Sequence, residues 1–397
     1  MISFAEKTKK MSHYFSHNTH NTYMIKKHNE KVFKNYLKNS KKLIKNTFFA
    51  IFLIFFAIFS SIFVNFNDLI YAEDNYIYTD KVEHLFTHCL IAYPEIAFKA
   101  DNEMRKHYAV DCITSKEFIS ILNELYKNDY VLVNLNSCFK TENNIAVKQK
   151  IKIPKNKKAL VLSFDDVNYD HKKMGLGMVD KIIIDDKGNL ASLTKFGNKN
   201  DIRYDVEFIP ILEQFIKMHP DFSINGAKGV LNVTGYDGIL GYRTSRRNLI
   251  TRDEEIKQAQ VVVNKLKENG WIFASHSYGH YHMNKIDLLK WKEEVKLWKD
   301  EVECLVGETN IYVYPYGEWQ VFENGEICDK HKILQEAGFS LFCGVGMQTF
   351  YSYLPNKNHK VLFMDRKCVD GSTITAKRSE LTPFFNPSNI LDSARLL

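Results

Sequence analysis

The chain has 397 residues, 45% of them hydrophobic, and a formal net charge of +7 at neutral pH; that supplies a large core and excludes an intrinsically disordered protein. The positive charge is confined to one end, because residues 1–46 hold eleven lysines against Glu6 and Glu30 while the remaining 351 residues hold 43 basic and 45 acidic side chains. A near-neutral body behind a basic tail gives no footprint for nucleic acid, and none is expected as a partner. The seven cysteines, at 89, 112, 138, 304, 328, 343 and 368, contain no CxxC pair, so buried thiols are expected rather than a disulfide framework or a cysteine zinc site.

The tail runs into NTFFAIFLIFFAIFSSIFVNF, where residues 46–66 carry no charge. At 1.5 Å per residue this run matches a hydrocarbon layer of roughly 30 Å. Lysines before it and Asp68, Glu73 and Asp74 after it leave the N-terminus inside and the rest outside. Residues 1–46 are expected as a cytoplasmic tail, 47–66 as one transmembrane helix anchoring the chain in the cell membrane, and 67–81 as a linker. The same segment also reads as a secretory signal cleaved near Ala72, which would make the protein secreted. Both readings place the body outside the cytoplasm.

After the linker an amphipathic run, a turn and a short apolar strand recur. KEFISILNELYKNDYVLVNL repeats apolar residues at helical spacing and then turns into a strand. FIPILEQFIKMHPDFSINGAKGVLNV stops its helix at Pro220. DEEIKQAQVVVNKLKENGWIFAS has acidic residues in its first turn, lysines near its end and Gly270 at the C-cap position. DKHKILQEAGFSLFCGVG breaks at Gly338. Helices alternating with nearly all-apolar strands predict an α/β fold, either an open parallel sheet or a barrel, with its active site at the C-terminal ends of the strands.

Three such ends carry chemistry. ALVLSFDD closes a strand with Asp165 and Asp166, two like charges that repel each other unless a cation or a proton is shared. WIFASHSYGHYH closes another with His276, His280 and His282, and Gly279 is expected to free the loop to turn the rings inward. NIYVYPYGEW ends in Tyr314, Pro315, Tyr316 and Gly317, a rigid aromatic turn suited to stacking on a sugar ring or simply an ordinary turn. One aspartate and two histidines give a divalent cation three protein ligands and leave room for water and substrate. Asp166 as ligand and Asp165 as general base would resolve the paired-charge problem.

Ser163-Phe164-Asp165-Asp166 and His276-Ser277-Tyr278-Gly279-His280 resemble the first two motifs of the polysaccharide deacetylases, carbohydrate esterase family four with its NodB-homology domain. The resemblance, over about residues 82–375 with 376–397 as a C-terminal tail, implies a distorted (β/α) barrel. It further implies Asp165 as catalytic base, and Zn²⁺, or Co²⁺ or Mn²⁺, on Asp166, His276 and His280. The implied reaction removes acetate from an N-acetylated glycan such as peptidoglycan or a poly-N-acetylglucosamine. Two positions depart from the family. Val313 stands where many members carry an arginine that partners the base, and Met364 stands where a late histidine would protonate the leaving amine.

Arg366 is a candidate replacement for that arginine. Candidates for the acid are His88, which follows the first strand-like stretch, together with His282, His359, Asp365 and a water on the metal. KIIIDDKGNLAS reads as a β-hairpin within a long insertion between the two motifs. The insertion either shapes glycan binding or is plain elaboration. The rival reading of the whole chain is a catalytically silent glycan-binding protein that keeps the metal site and has lost the acid.

Overall fold

The computed structural model describes residues 75–346, 352–355 and 360–396. The expected tail, the 47–66 span, Ala72 and most of the linker lie outside these residues. No helix among the described residues is long and apolar enough to cross a membrane.

Seven parallel strands close into a barrel: β1 (Val82–His88), β2 (Lys158–Asp165), β3 (Val230–Val233), β4 (Ile272–Ser275), β5 (Ile311–Val313), β6 (Leu341–Val345) and β7 (Lys360–Cys368). The wall runs β3-β4-β5-β6-β7-β1-β2 and closes where Val230 and Leu231 pair with Ser163 and Phe164. Below that closure β2 pairs with the short parallel strand Tyr130–Leu132 instead. It thus changes partner halfway along, which distorts the barrel. The expected (β/α) barrel is what the backbone forms.

The strand sequences are almost wholly apolar because both of their faces are covered. Ala159, Val161, Ala274, Val313, Cys343, Leu362 and Met364 form one buried cluster, to which Phe139, Ala146, Ile151 and Ile153 also belong. Leu160, Leu162, Phe164, Leu231, Phe273, Tyr312, Phe342 and Phe363 belong to the other cluster, shared with the helices. The period of two divides each strand between lumen and helix layer. Small residues on the inner face suit a lumen this narrow.

The helix layer comprises α1 (Ser115–Lys127), α2 (Phe208–Met218), α3 (Arg252–Glu268), α4 (Leu288–Trp298) and α5 (Asp329–Glu336). A capping box between Thr114 and Glu117 starts α1. Gly270 follows α3 at φ +98, where an added Cβ would meet the Gly226 carbonyl oxygen at 2.2 Å, so the turn into β4 requires glycine. The expected hairpin forms from Lys181–Ile184 and Leu190–Phe196, and a third strand, Lys199–Arg203, extends it.

Glu207 begins α2 and is fully buried, its carboxylate taking N–H groups from Phe208 (2.9 Å) and Leu90 (3.3 Å). Burial outweighs both bonds and pushes its pKa up from 4.5 to about 8. The folded state therefore holds a proton that the unfolded state releases, and this contribution to stability is full below pH 4.5 and lost as pH rises through 8. Urea titrations across that range should show stability falling by roughly 1 kcal/mol per pH unit from this group. Glu207→Gln should flatten the slope.

Candidate active site

The C-terminal mouth of the barrel gathers the predicted residues from separate strands. Asp165 is the last residue of β2 and is 3% exposed. Arg366, on the inner face of β7 and fully buried, meets it with a two-pronged bond, Nη1 to Oδ1 at 2.6 Å and Nη2 to Oδ2 at 3.0 Å. Asn232 Nδ2 donates to Oδ1 at 2.6 Å. Burial works to raise the Asp165 carboxyl, but the Arg366 guanidinium and then His276 outweigh it and hold the group well below the usual carboxylate range. The arginine missing at Val313 is therefore supplied from β7, two strands along the barrel wall from Asp165.

Asp166 turns away from its neighbour because its backbone is left-handed, at φ 57. Its Oδ1 is buried without a hydrogen-bond partner, 3.7 Å from His280 Nε2. His276 follows β4 and donates from Nδ1 to the Val313 carbonyl at 2.9 Å, which leaves the Nε2 lone pair facing the mouth. Burial lowers the His276 pKa to about 4, so its imidazole is neutral and able to ligate. Ligand atoms of Asp166, His276 and His280 all lie within 4.8 Å of one another. An orphaned carboxylate oxygen with two imidazoles fits a divalent cation of the zinc type.

The loop that carries the histidines differs in detail from the expectation. Its left-handed residues are Ser277 (φ 59) and His280 (φ 55). Gly279 is needed for space: an added Cβ would meet the Tyr281 ring at 2.4 Å, and the Gly279 amide donates to Glu294.

The sugar-stacking candidates separate. Tyr314 is fully buried in the helix layer with its hydroxyl 3.0 Å from His331 Nδ1, and Pro315 is buried beside it. Tyr316 is 55% exposed. Its ring stacks on His282 at 3.7 Å and approaches His280 at 4.5 Å, so it braces the histidine loop. Gly317, at φ 66, lets that turn pack against Val345.

Among the acid candidates, His88 ends β1 directly opposite Asp165 in register. Its Nδ1 donates to the Asp111 carbonyl at 2.9 Å, which leaves Nε2 free. It lies close enough for its charge to act on both Asp165 and Asp166. His282 Nδ1 is held by Glu318 at 2.9 Å. Asp365 alternates to the outer face of β7, and His359 lies outside the described residues. Met364 is buried in the lumen.

With this geometry in view, comparison with known proteins is short. No family model matches the sequence, and no curated protein does. The solved structures that it resembles include several polysaccharide deacetylases and a 4-alpha-glucanotransferase from Thermococcus litoralis. A Streptococcus pyogenes deacetylase in complex with acetate shares 17% identity over 78% of this chain and 96% of its own, with a TM-score of 0.40. A polysaccharide deacetylase from Bacillus cereus shares 13% over 75% and 69%, at 0.41. A family-four pseudoenzyme from Bacillus anthracis shares 13% over 45% and 55%, at 0.24. These superpositions are loose, and the chemistry of the cleft is defined by its own side chains.

Two participants were not singled out from the sequence. Asn232 reads only as part of an Asn-Val-Thr triplet, yet it is fully buried on Asp165 and closed to glycosylation. His84 lies under the site, its Nε2 2.9 Å from Ser163 Oγ, which in turn accepts from Arg366 Nη1 at 3.3 Å. A polar residue on the inner face of an apolar strand was the available signal for both. A cavity of about 770 Å³ lies at the other end of the barrel beside Trp271, Lys299 and Asn310, away from these groups.

Removing Arg366 would strand a buried carboxylate, at a cost of about 3–5 kcal/mol. With the guanidinium gone, burial would act on Asp165 against His276, His88 and the Asn232 bond only, and its pKa would rise. Arg366→Met should therefore be much less stable than wild type at pH 7.5, and the gap should narrow as pH falls toward 5 and Asp165 takes up a proton. Urea denaturation at the two pH values reads this directly.

Proposed function

We propose that the chain is a metal-dependent N-deacetylase that releases acetate from N-acetylglucosamine units of a cell-envelope or extracellular polysaccharide. Peptidoglycan and poly-N-acetylglucosamine are the substrates of choice, and Zn²⁺ is the first choice of metal, with Co²⁺ or Mn²⁺ as substitutes. The observation that carries the reading is the convergence, at one barrel mouth, of an arginine-bound carboxylate with a separate Asp-His-His ligand set. A silent binding site has no use for the first of these. The uncharged run at 46–66 and its lysine flank support a location at the outer face of a membrane.

A divalent cation on Asp166, His276 and His280 would supply Lewis-acid polarisation of the acetamide carbonyl and acidify water. Arg366 keeps Asp165 ionised and oriented, the form in which a carboxylate can take a proton from the attacking water. As the new C–O bond forms and the C–N bond breaks, His88 Nε2 would protonate the departing nitrogen. Acetate and a free amine result. Arg366 and Asn232 keep the Asp165 carboxylate from turning, and Val313 supplies a carbonyl that orients His276.

The test is acetate release from N-acetylglucosamine oligomers and from peptidoglycan by the full-length chain, metal-stripped and then resupplied with each metal. Asp165→Asn should lower kcat by about 10²–10⁴-fold while the melting temperature is monitored as a control. His88→Gln should slow amide hydrolysis far more than hydrolysis of an activated acetyl ester, whose leaving group needs no proton. Equal losses on the two substrates would remove His88 from the acid role. The buried Met364 at the late-motif position favours the silent-binding reading; glycan binding with no metal-dependent acetate release would establish it.

A further inference from the structure

The placement of His88 depends on a carbonyl, and that carbonyl depends on the far end of the chain. His88 Nδ1 donates to the Asp111 carbonyl at 2.9 Å. Asp111 is the last residue of a short helix, Arg105–Asp111. The final carbonyls of a helix have no partners within it, and a helix this short is marginal without outside bonds. The carbonyls of Ala109 and Cys112, which bracket Asp111, both go to Arg395: Nη1 donates to Ala109 at 3.2 Å and Nη2 to Cys112 at 2.6 Å.

Arg395 is itself fixed. Its side chain is 8% exposed, and Nε and Nη2 fork onto the Glu117 carboxylate at 2.6 and 2.7 Å. Glu117 is fully buried and also accepts the amides of Thr114 at 2.8 Å and Asp392 at 3.0 Å. Asp392 in turn accepts from the Thr114 hydroxyl at 3.0 Å, so residues 392–395 are clasped to the start of α1. Gly371, which opens the helical turn Gly371–Thr375 after β7, presses on the same carbonyls; an added Cβ there would meet the Ala109 oxygen at 2.0 Å. A lysine at 395 would neutralise Glu117 as well as an arginine does. The planar fork reaches a carboxylate and two carbonyls at once, and the two carbonyl bonds hold the acceptor of His88 in place.

We propose that Arg395 is a positioning residue for His88: by fixing the Asp111 carbonyl it keeps the ring proton on Nδ1 and leaves Nε2 for the departing nitrogen. Which nitrogen of an imidazole carries the proton is decided by the hydrogen bond the other makes. With the Asp111 carbonyl loose, the ring would turn and the two nitrogens would share the proton. The chemical purpose rests on the deacetylase reading, whereas the hold on the ring does not.

Removing Arg395 alone would strand the buried Glu117 carboxylate, so the comparison is made in a Glu117→Gln background. Glu117→Gln should keep Arg395 on the two carbonyls, and adding Arg395→Met removes those bonds without stranding a charge. Full-length chains labelled at the histidine ring nitrogens would be compared by NMR, with His88 assigned from the signals lost in His88→Gln. At about pH 8.5, where an ordinary imidazole is neutral, wild type and Glu117→Gln should show a protonated Nδ1 and a bare Nε2. The double variant should show the two nitrogens averaged. Its kcat on N-acetylglucosamine oligomers should fall by up to about 100-fold relative to Glu117→Gln, the scale of a small misplacement. Hydrolysis of an activated acetyl ester should be nearly unaffected.

An unchanged His88 spectrum in the double variant would overturn the proposal. So would amide and ester rates that move together, whether both fall or neither does, because a general loosening of the barrel spares neither substrate and a misplaced proton donor slows the amide alone. If wild type releases no acetate from any chain, the deacetylase reading falls, and the spectrum still decides whether Arg395 holds His88.

Discussion

The bonds from Arg366 to Asp165 hold the mouth of the barrel in one arrangement. Burying two charges costs several kcal/mol each, and their attraction offsets this only with good geometry and further hydrogen bonds. Both conditions are met. The fork is two-pronged, Asn232 supplies a further donor to the carboxylate, and the guanidinium also contacts Ser163 and the Gly344 carbonyl. Arg366 reaches Asp165 across the intervening strand, its guanidinium over the Phe86 ring at 4.1 Å. Three neighbouring strands, β7, β1 and β2, are thereby locked at the height where chemistry would occur.

That lock answers why two like charges stand side by side. Asp165 and Asp166 do not share one cation. The left-handed step at Asp166 sends the two carboxylates to different partners, the Arg366 guanidinium for the first, with His276 Nε2 3.6 Å from its Oδ2, and the His280 imidazole for the second. The environments then separate their tasks. A carboxylate held by arginine stays ionised and oriented, while one with a buried, unpartnered oxygen is free to ligate.

Much of the barrel was legible because a strand covered on both faces must be apolar, and the helical runs between such strands carry their own stop signals. The Asp-Asp and His-x-x-x-His pairs were legible for the same reason: a charge that ends an apolar run marks a strand end. Partnerships across the wall were not. Arg366 and Asp165 are 201 residues apart, and only closure of the barrel makes them neighbours. Tyr314 shows a different failure. It looks like part of an aromatic turn, but it continues the alternation of β5 and so faces the helices, with Tyr312 two residues earlier in the same cluster. Asn232 was likewise not legible, because only closure of the barrel brings this buried strand residue against Asp165.

The same alternation bears on the missing histidine. Along β7, Leu362, Met364 and Arg366 share the inner face, and two residues advance a strand by about 6.6 Å. In register Cys368 of β7 stands beside Phe86 and Ser163, two residues short of Asp165, so Arg366 reaches up to the carboxylate along its side chain and Met364 lies deeper still, among the apolar lumen residues. A histidine at that depth would be buried below the substrate and held neutral by burial, as His84 is, its pKa well below the ordinary value. With β7 supplying the arginine, the proton donor is better sought at a neighbouring strand end. β1 pairs directly with both β7 and β2, and the residue with which it meets Asp165 is His88.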